Sequence, residues 1–168
     1  HGYDITGADV LDAYSAVLRE RPAEWEAKRV GELIFLRVLA EIKAEPEGAG
    51  RVLDDLRADP AFDLENRWQA EWSLARALQV RGADGAKESY GRVTRLLGEP
   101  GSEGAGLNPE LKARMGWLQA RLAFEAGNSE ETIRLVEAQL KTPLEVPASL
   151  KEEIASILRL LKARAEFA

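Results

Sequence analysis

Apolar residues recur along the chain at three- and four-residue intervals, in blocks separated by proline and glycine. Val10, Leu11, Tyr14, Val17 and Leu18 share one helical face, which predicts a helix over 7–20 with Thr6 as cap, Asp9 in its acidic first turn and Pro22 as its end. A second helix, 23–44, carries Trp25, Val30, Leu33, Ile34, Leu36, Val38, Leu39 and Ile42. It is apolar around much of its circumference and is expected to be well buried until Glu45-Pro46-Glu47-Gly48 breaks it. The third, 48–58, buries Val52, Leu53 and Leu56 and ends before Pro60. The fourth, 64–81, holds Leu64, Trp68, Trp72, Leu74, Ala75, Leu78 and Val80, with Gly82 as its stop and Asp84 as cap for the next.

The fifth helix, 85–97, buries Ala86, Tyr90, Val93, Leu96 and Leu97. A glycine-rich loop over 98–108 follows, and Asn108 with Pro109 restarts the chain as a sixth helix ending at Gly127. A seventh, 129–141, stops at Pro143, and Ser149-Leu150-Lys151-Glu152 reads as a capping box opening an eighth over 148–167. No stretch alternates with period two, so the predicted fold class is all-α, with about eight helices.

Antiparallel helices joined by short turns make either a bundle or a solenoid, and internal similarity favours the solenoid. Val10, Tyr14, Val17 and Pro22 recur in type as Ala49, Leu53, Leu56 and Pro60, as Ala86, Tyr90, Val93 and Pro100, and as Thr132, Val136, Gln139 and Pro143. The first three positions of each set keep one spacing, while the proline drifts. On the alternate helices, Trp72-Ser-Leu-Ala75-Arg76 stands before Gly82 as Trp117-Leu-Gln-Ala120-Arg121 stands before Gly127, and Ala163-Arg164 repeats the end of that set.

A small residue, a large one, a glycine turn, then Val10-x3-Tyr14-x2-Val17-x4-Pro22: this pattern resembles the tetratricopeptide repeat (TPR) family over nearly the whole chain. The resemblance implies a right-handed α-solenoid of antiparallel hairpins that binds protein partners. Physically, Ala75 and Ala120 let paired helices approach closely, and Tyr14 and Tyr90 fill the space between neighbouring hairpins. The pattern departs from the family where Thr132 and Gln139 stand, and its helix starts recur at 37 to 46 residues, against about 34 in the family. A degenerate bacterial type of repeat fits these departures, and HEAT-like or other α-hairpin repeats are the alternative.

On this reading 1–168 is a single array: a half repeat at 1–22, hairpins at 23–60, 64–100 and 108–143, and a final helix at 147–168. The unpaired first and last helices suggest a piece of a longer array. A solubilising cap is the other account of the last helix, favoured by Arg159, Lys162, Arg164 and Glu166; Leu160, Leu161 and Phe167 oppose it with apolar surface on more than one side.

Composition narrows the functional classes. The chain is 45% apolar and 31% charged, as folded proteins are. Its net charge of −6 and pI near 5.0 argue against a nucleic-acid surface. Without cysteine there is no disulfide framework and no thiolate metal site, and the compartment stays open. No apolar run reaches the length of a membrane span. The chain opens at His1-Gly2 without Met or signal peptide and reads as a processed fragment. His1 is the only histidine and stands at a terminus, so Ser-His catalysis and histidine metal ligation find no support, and no cofactor is expected.

Asp54-Asp55, Glu130-Glu131 and Glu152-Glu153 are neighbours that do not face each other on a helix, so solvated faces explain them better than acid–base pairs. The glycine-rich loop contains Glu99 and Glu103 and lacks a Lys-Ser/Thr sequel, so it suits a linker better than a phosphate cradle. The expectation is a non-catalytic protein.

Arg76, Arg121 and Arg164 remain, at matching places 45 and 43 residues apart, with Trp72 and Trp117 four residues before the first two. Stacked hairpins would align them, and Trp–Arg stacking is feasible at that separation. The TPR resemblance implies that such first-helix residues line a concave groove. Trp72, Arg76, Trp117, Arg121, Phe124 and Arg164 are therefore the candidate binding residues for an acidic or aromatic peptide. The competing reading has both tryptophans packed between hairpins and the arginines paired with local acids such as Glu71 and Glu125. Self-association, or service as an accessory domain of a larger envelope or regulatory protein, are the alternative functions. An Ala-, Gly- and Arg-rich composition points to a GC-rich bacterial source, and related bacterial arrays serve in envelope assembly, which leans the location toward periplasm or envelope.

Overall fold

The computed structural model describes residues 7–22, 25–99 and 107–168. Among them are eight α-helices and no strand: α1 (Gly7–Arg19), α2 (Ala27–Ala44), α3 (Pro46–Leu56), α4 (Leu64–Gln79), α5 (Ala83–Leu97), α6 (Pro109–Glu125), α7 (Ser129–Lys141) and α8 (Ala148–Glu166). The protein is all-α. Thr6, the first residues of the expected second helix, Pro100 and most of the glycine-rich loop lie outside the described residues. The chain divides into two compact units, His1–Ala77 and Leu78–Ala168, the boundary falling near the end of α4.

In the first unit α1 packs on α2 and α2 on α3. Val30, Ile34, Val38 and Ile42 recur every four residues along α2 and are buried; Ala49 and Leu53 of α3 and Phe62 are buried too. Gly31 permits a close approach, because a Cβ there would stand 2.3 Å from the Ala61 carbonyl oxygen. The expectation that α2 is well buried around much of its circumference is corrected on one side: Leu36 is 42% exposed, and Leu33 and Leu39 are half-buried. Its neighbours leave that side open to water. On α1 the apolar face is only half-covered, with no residue fully buried. Asp63 caps α4, its Oδ1 accepting from the Asn66 amide at 2.8 Å.

In the second unit α5, α6, α7 and α8 pack each on the next, and α6 also touches α8. Packed against α5, α7 and α8, α6 buries more than one face, from Leu111 and Ala113 through Met115, Leu118 and Ala120 to Leu122 and Ala123. Asn108 caps it by accepting from the Glu110 amide at 2.9 Å, and Pro109 takes the first position, where a missing N–H costs nothing. The α6–α7 turn closes with paired bonds, from the Asn128 amide to the Ala123 carbonyl and from the Gly127 amide to the Phe124 carbonyl, both 2.9 Å. This closure needs a left-handed residue, and Gly127 supplies it at φ 85°. Asn128 then caps α7 through the Glu131 amide.

Three local expectations are corrected. Gly82, at φ 73°, is itself the residue before α5, so Asp84 lies in the first turn and caps nothing. Pro147 holds an extended conformation (φ −53°, ψ 145°) and α8 starts directly after it, so Ser149 falls inside the helix, where its capping box cannot form. Val80 lies past the end of α4 and is 88% exposed. Gln139, a poor match to the repeat, has a structural use: its side-chain amide donates to the Gly116 carbonyl, tying α7 to α6.

Candidate functional site

Four of the six candidate residues lie in the second unit, on α6 and α8. A seven-residue interval puts Trp117 and Phe124 on one face of α6, with Arg121 between them. Both rings are half-buried and pack against a core of Ala120, Ala123, Leu135, Val136, Leu158 and Leu161. The Arg121 guanidinium sits 5.5 Å from the centre of the Trp117 ring, and its Nε donates to Glu125 Oε1 at 2.8 Å. Gln79 Nε2 donates to the other oxygen of Glu125, also at 2.8 Å. Arg164, from α8, lies 5.4 Å from the centre of the Phe124 ring. The structure thus brings Trp117, Arg121, Phe124 and Arg164 into two cation–ring pairs.

The two arginines differ in their local ion-pair partners. Glu125 neutralises Arg121 locally, as the packing reading expects, whereas Arg164 is exposed and has no ion pair among the described residues. Trp72 and Arg76 belong to the first unit, on α4, where Trp72 is half-buried and Arg76 exposed. Glu71, the other expected local acid, is buried.

A second polar cluster escaped the sequence reading. The Tyr90 hydroxyl donates to Glu131 Oε1 at 2.8 Å, and Arg134 binds the same carboxylate through both Nε and Nη2. The Arg134 guanidinium holds the Glu131 carboxyl below its ordinary value, and burial, aided by the carboxylate, pushes the Tyr90 hydroxyl up. A depressed carboxyl stabilises the fold above its unfolded-state pKa, and that contribution is lost as pH falls through the lower, folded value. Glu131→Gln is therefore expected to flatten the acid limb of a stability-versus-pH curve below the ordinary carboxylate range. Tyr90→Phe, which leaves the arginine pair in place, is expected to cost about 0.5–1.5 kcal/mol in urea denaturation at neutral pH.

Among the described residues no cluster of His, Cys, Asp and Glu could hold a metal ion. No described helix is long and apolar enough to cross a membrane. Compared with protein-family models, with curated proteins and with solved structures, the chain matches none.

Proposed function

We propose that the chain is a non-catalytic interaction scaffold, a right-handed TPR-like array of helical hairpins that holds an acidic, aromatic-containing peptide against first-half helices such as α6 and α8. One observation carries the reading: Arg164, exposed and without an ion pair among the described residues, lies over the half-buried Phe124 ring, with Trp117 seven residues before Phe124, about two turns away on the same face of α6. A carboxylate reaching Arg164 would gain a charged hydrogen bond beside apolar ring surface, the combination that anchors peptide recognition. The contact of α6 with α8, across the intervening α7, supports stacking of one hairpin on the next. The TPR resemblance and the bacterial envelope setting enter as parts of the same proposal.

The test uses labelled synthetic peptides in two matched sets, one acidic with aromatic residues and one basic, followed by fluorescence anisotropy. The acidic set should bind, more weakly as salt rises. The double change Arg121→Glu with Arg164→Glu should weaken binding by about tenfold or more, equivalent to about 1.4 kcal/mol. Binding that stays unchanged in a variant with wild-type circular dichroism would falsify the groove.

A further inference from the structure

The outer face of α8 carries a second apolar stripe, separate from the one that packs inward. Leu158, Leu161 and Ala165 are buried in the second unit. About 100° around the helix, Leu150, Glu153, Ile157, Leu160, Arg164 and Phe167 follow at intervals of three, four, three, four and three residues. That is the seam of a two-stranded coiled coil. Ile157 is 41% exposed, Leu160 63% and Phe167 92%. Glu153 and Arg164 interrupt the apolar stripe, and neither has an ion pair among the described residues. They cannot satisfy each other within one helix, because eleven residues of rise separate them by about 16 Å.

The order of residue types along this seam matches its own reversal. Turned end for end about the midpoint between Leu158 and Arg159, Glu153 exchanges places with Arg164, Ile157 with Leu160, and Leu150 with Phe167. We propose that two copies of this chain dimerise by pairing α8 antiparallel along this stripe. The Glu153 of each copy then faces the Arg164 of the other, and Ile157 packs against Leu160 at the two-fold axis. Arg164 stays over the Phe124 ring while its N–H donors reach the carboxylate. A parallel pair would set Glu153 against Glu153 and Arg164 against Arg164, so charge selects the antiparallel arrangement. A single helix pair buries less than a standard interface, so dissociation is expected at about 1–100 µM. The dimer does not depend on the peptide-binding reading: its readout is mass with no peptide present, and Glu153→Arg changes no residue proposed for peptide binding, whereas Arg164→Glu is expected to affect both.

The experiment is sedimentation equilibrium on the 168-residue chain across a hundredfold dilution. The mass should fall from two copies to one. Glu153→Arg and Arg164→Glu should each weaken dimerisation about tenfold or more, because each places like charges together twice. The double variant, Glu153→Arg with Arg164→Glu, restores opposite charges and should recover the wild-type midpoint. A single-copy mass throughout, a mass that climbs beyond two copies, or a double variant no better than its parents would each overturn the proposal.

Discussion

Replacing Gly85 with alanine is expected to lower the unfolding free energy by about 3 kcal/mol or more, at the upper end of what overpacking costs. The added Cβ would stand 2.0 Å from the Leu78 carbonyl oxygen and 2.9 Å from the Leu78 carbonyl carbon, with Arg81 Cβ also at 2.9 Å. Two of these three atoms are backbone, so no rotamer change relieves the clash. The start of α5 would have to lift away from the end of α4, loosening the turn through Gly82. Gly91 on the same helix is the control, since nothing lies within 4 Å of its Cβ position. Gly91→Ala should stabilise the protein by up to about 1 kcal/mol through helix propensity alone. Urea denaturation of both variants checks the pair. Shifts of the same sign would mean that space at Gly85 is not what requires a glycine.

Gly85 also marks where sequence reading loses its grip. Gly127 and Gly82 are recognisable because a helix terminus demands positive φ, and a glycine ten residues after a Trp-x2-Ala-Arg set advertises one. Gly85 and Gly31 answer to a different demand, the close passage of another backbone, which leaves no periodic trace. The caps divide in the same way. Asn108 is legible as a cap because it stands directly before Pro109 at a helix start and side-chain capping is a local interaction, whereas Asn128, beside Gly127, reads only as part of a turn. The Ser149–Glu152 motif misled because Pro147, already fixed in φ, starts the helix two residues sooner. Hydrophobic periodicity located all eight helices but overstated the burial of α2. An apolar circumference records what could be covered, and the helices packed on α2 cover only part of it.

The candidate site follows the same division. The Trp117–Arg121 stack and the Arg121–Glu125 pair lie four residues apart on one helix, so spacing alone brings them together. The Arg164–Phe124, Gln79–Glu125 and Tyr90–Glu131 contacts join different helices. Each depends on axial register, which drifting repeat lengths leave undetermined to within a helical turn. Sequence grouped Arg164 with Phe124 but gave no reason for the one to lie over the other. Tyr90 was read as filler between hairpins, and nothing local pointed its hydroxyl at Glu131. The rings of the face serve packing and exposure together: both sit against the core while part of each remains open to solvent.

Trp68→Ala is expected to be among the most damaging single changes, at about 3–5 kcal/mol, the range for removing a fully buried aromatic. Trp68 has no solvent-exposed surface, whereas Trp72 and Trp117, the tryptophans proposed for binding, are half-buried. Its indole nitrogen adds a finer test. Trp68 Nε1 is buried and has no hydrogen-bond partner among the described residues. A buried donor without an acceptor opposes folding, so removing it recovers part of what the smaller ring loses. Trp68→Phe keeps an aromatic ring and discards the orphaned N–H, so its cost should be only about 1–2 kcal/mol. Urea midpoints for the two variants separate the contributions. A phenylalanine variant as unstable as the alanine one would mean that the indole nitrogen holds a bond essential to the fold. A near-native alanine variant would mean that the core closes without this ring.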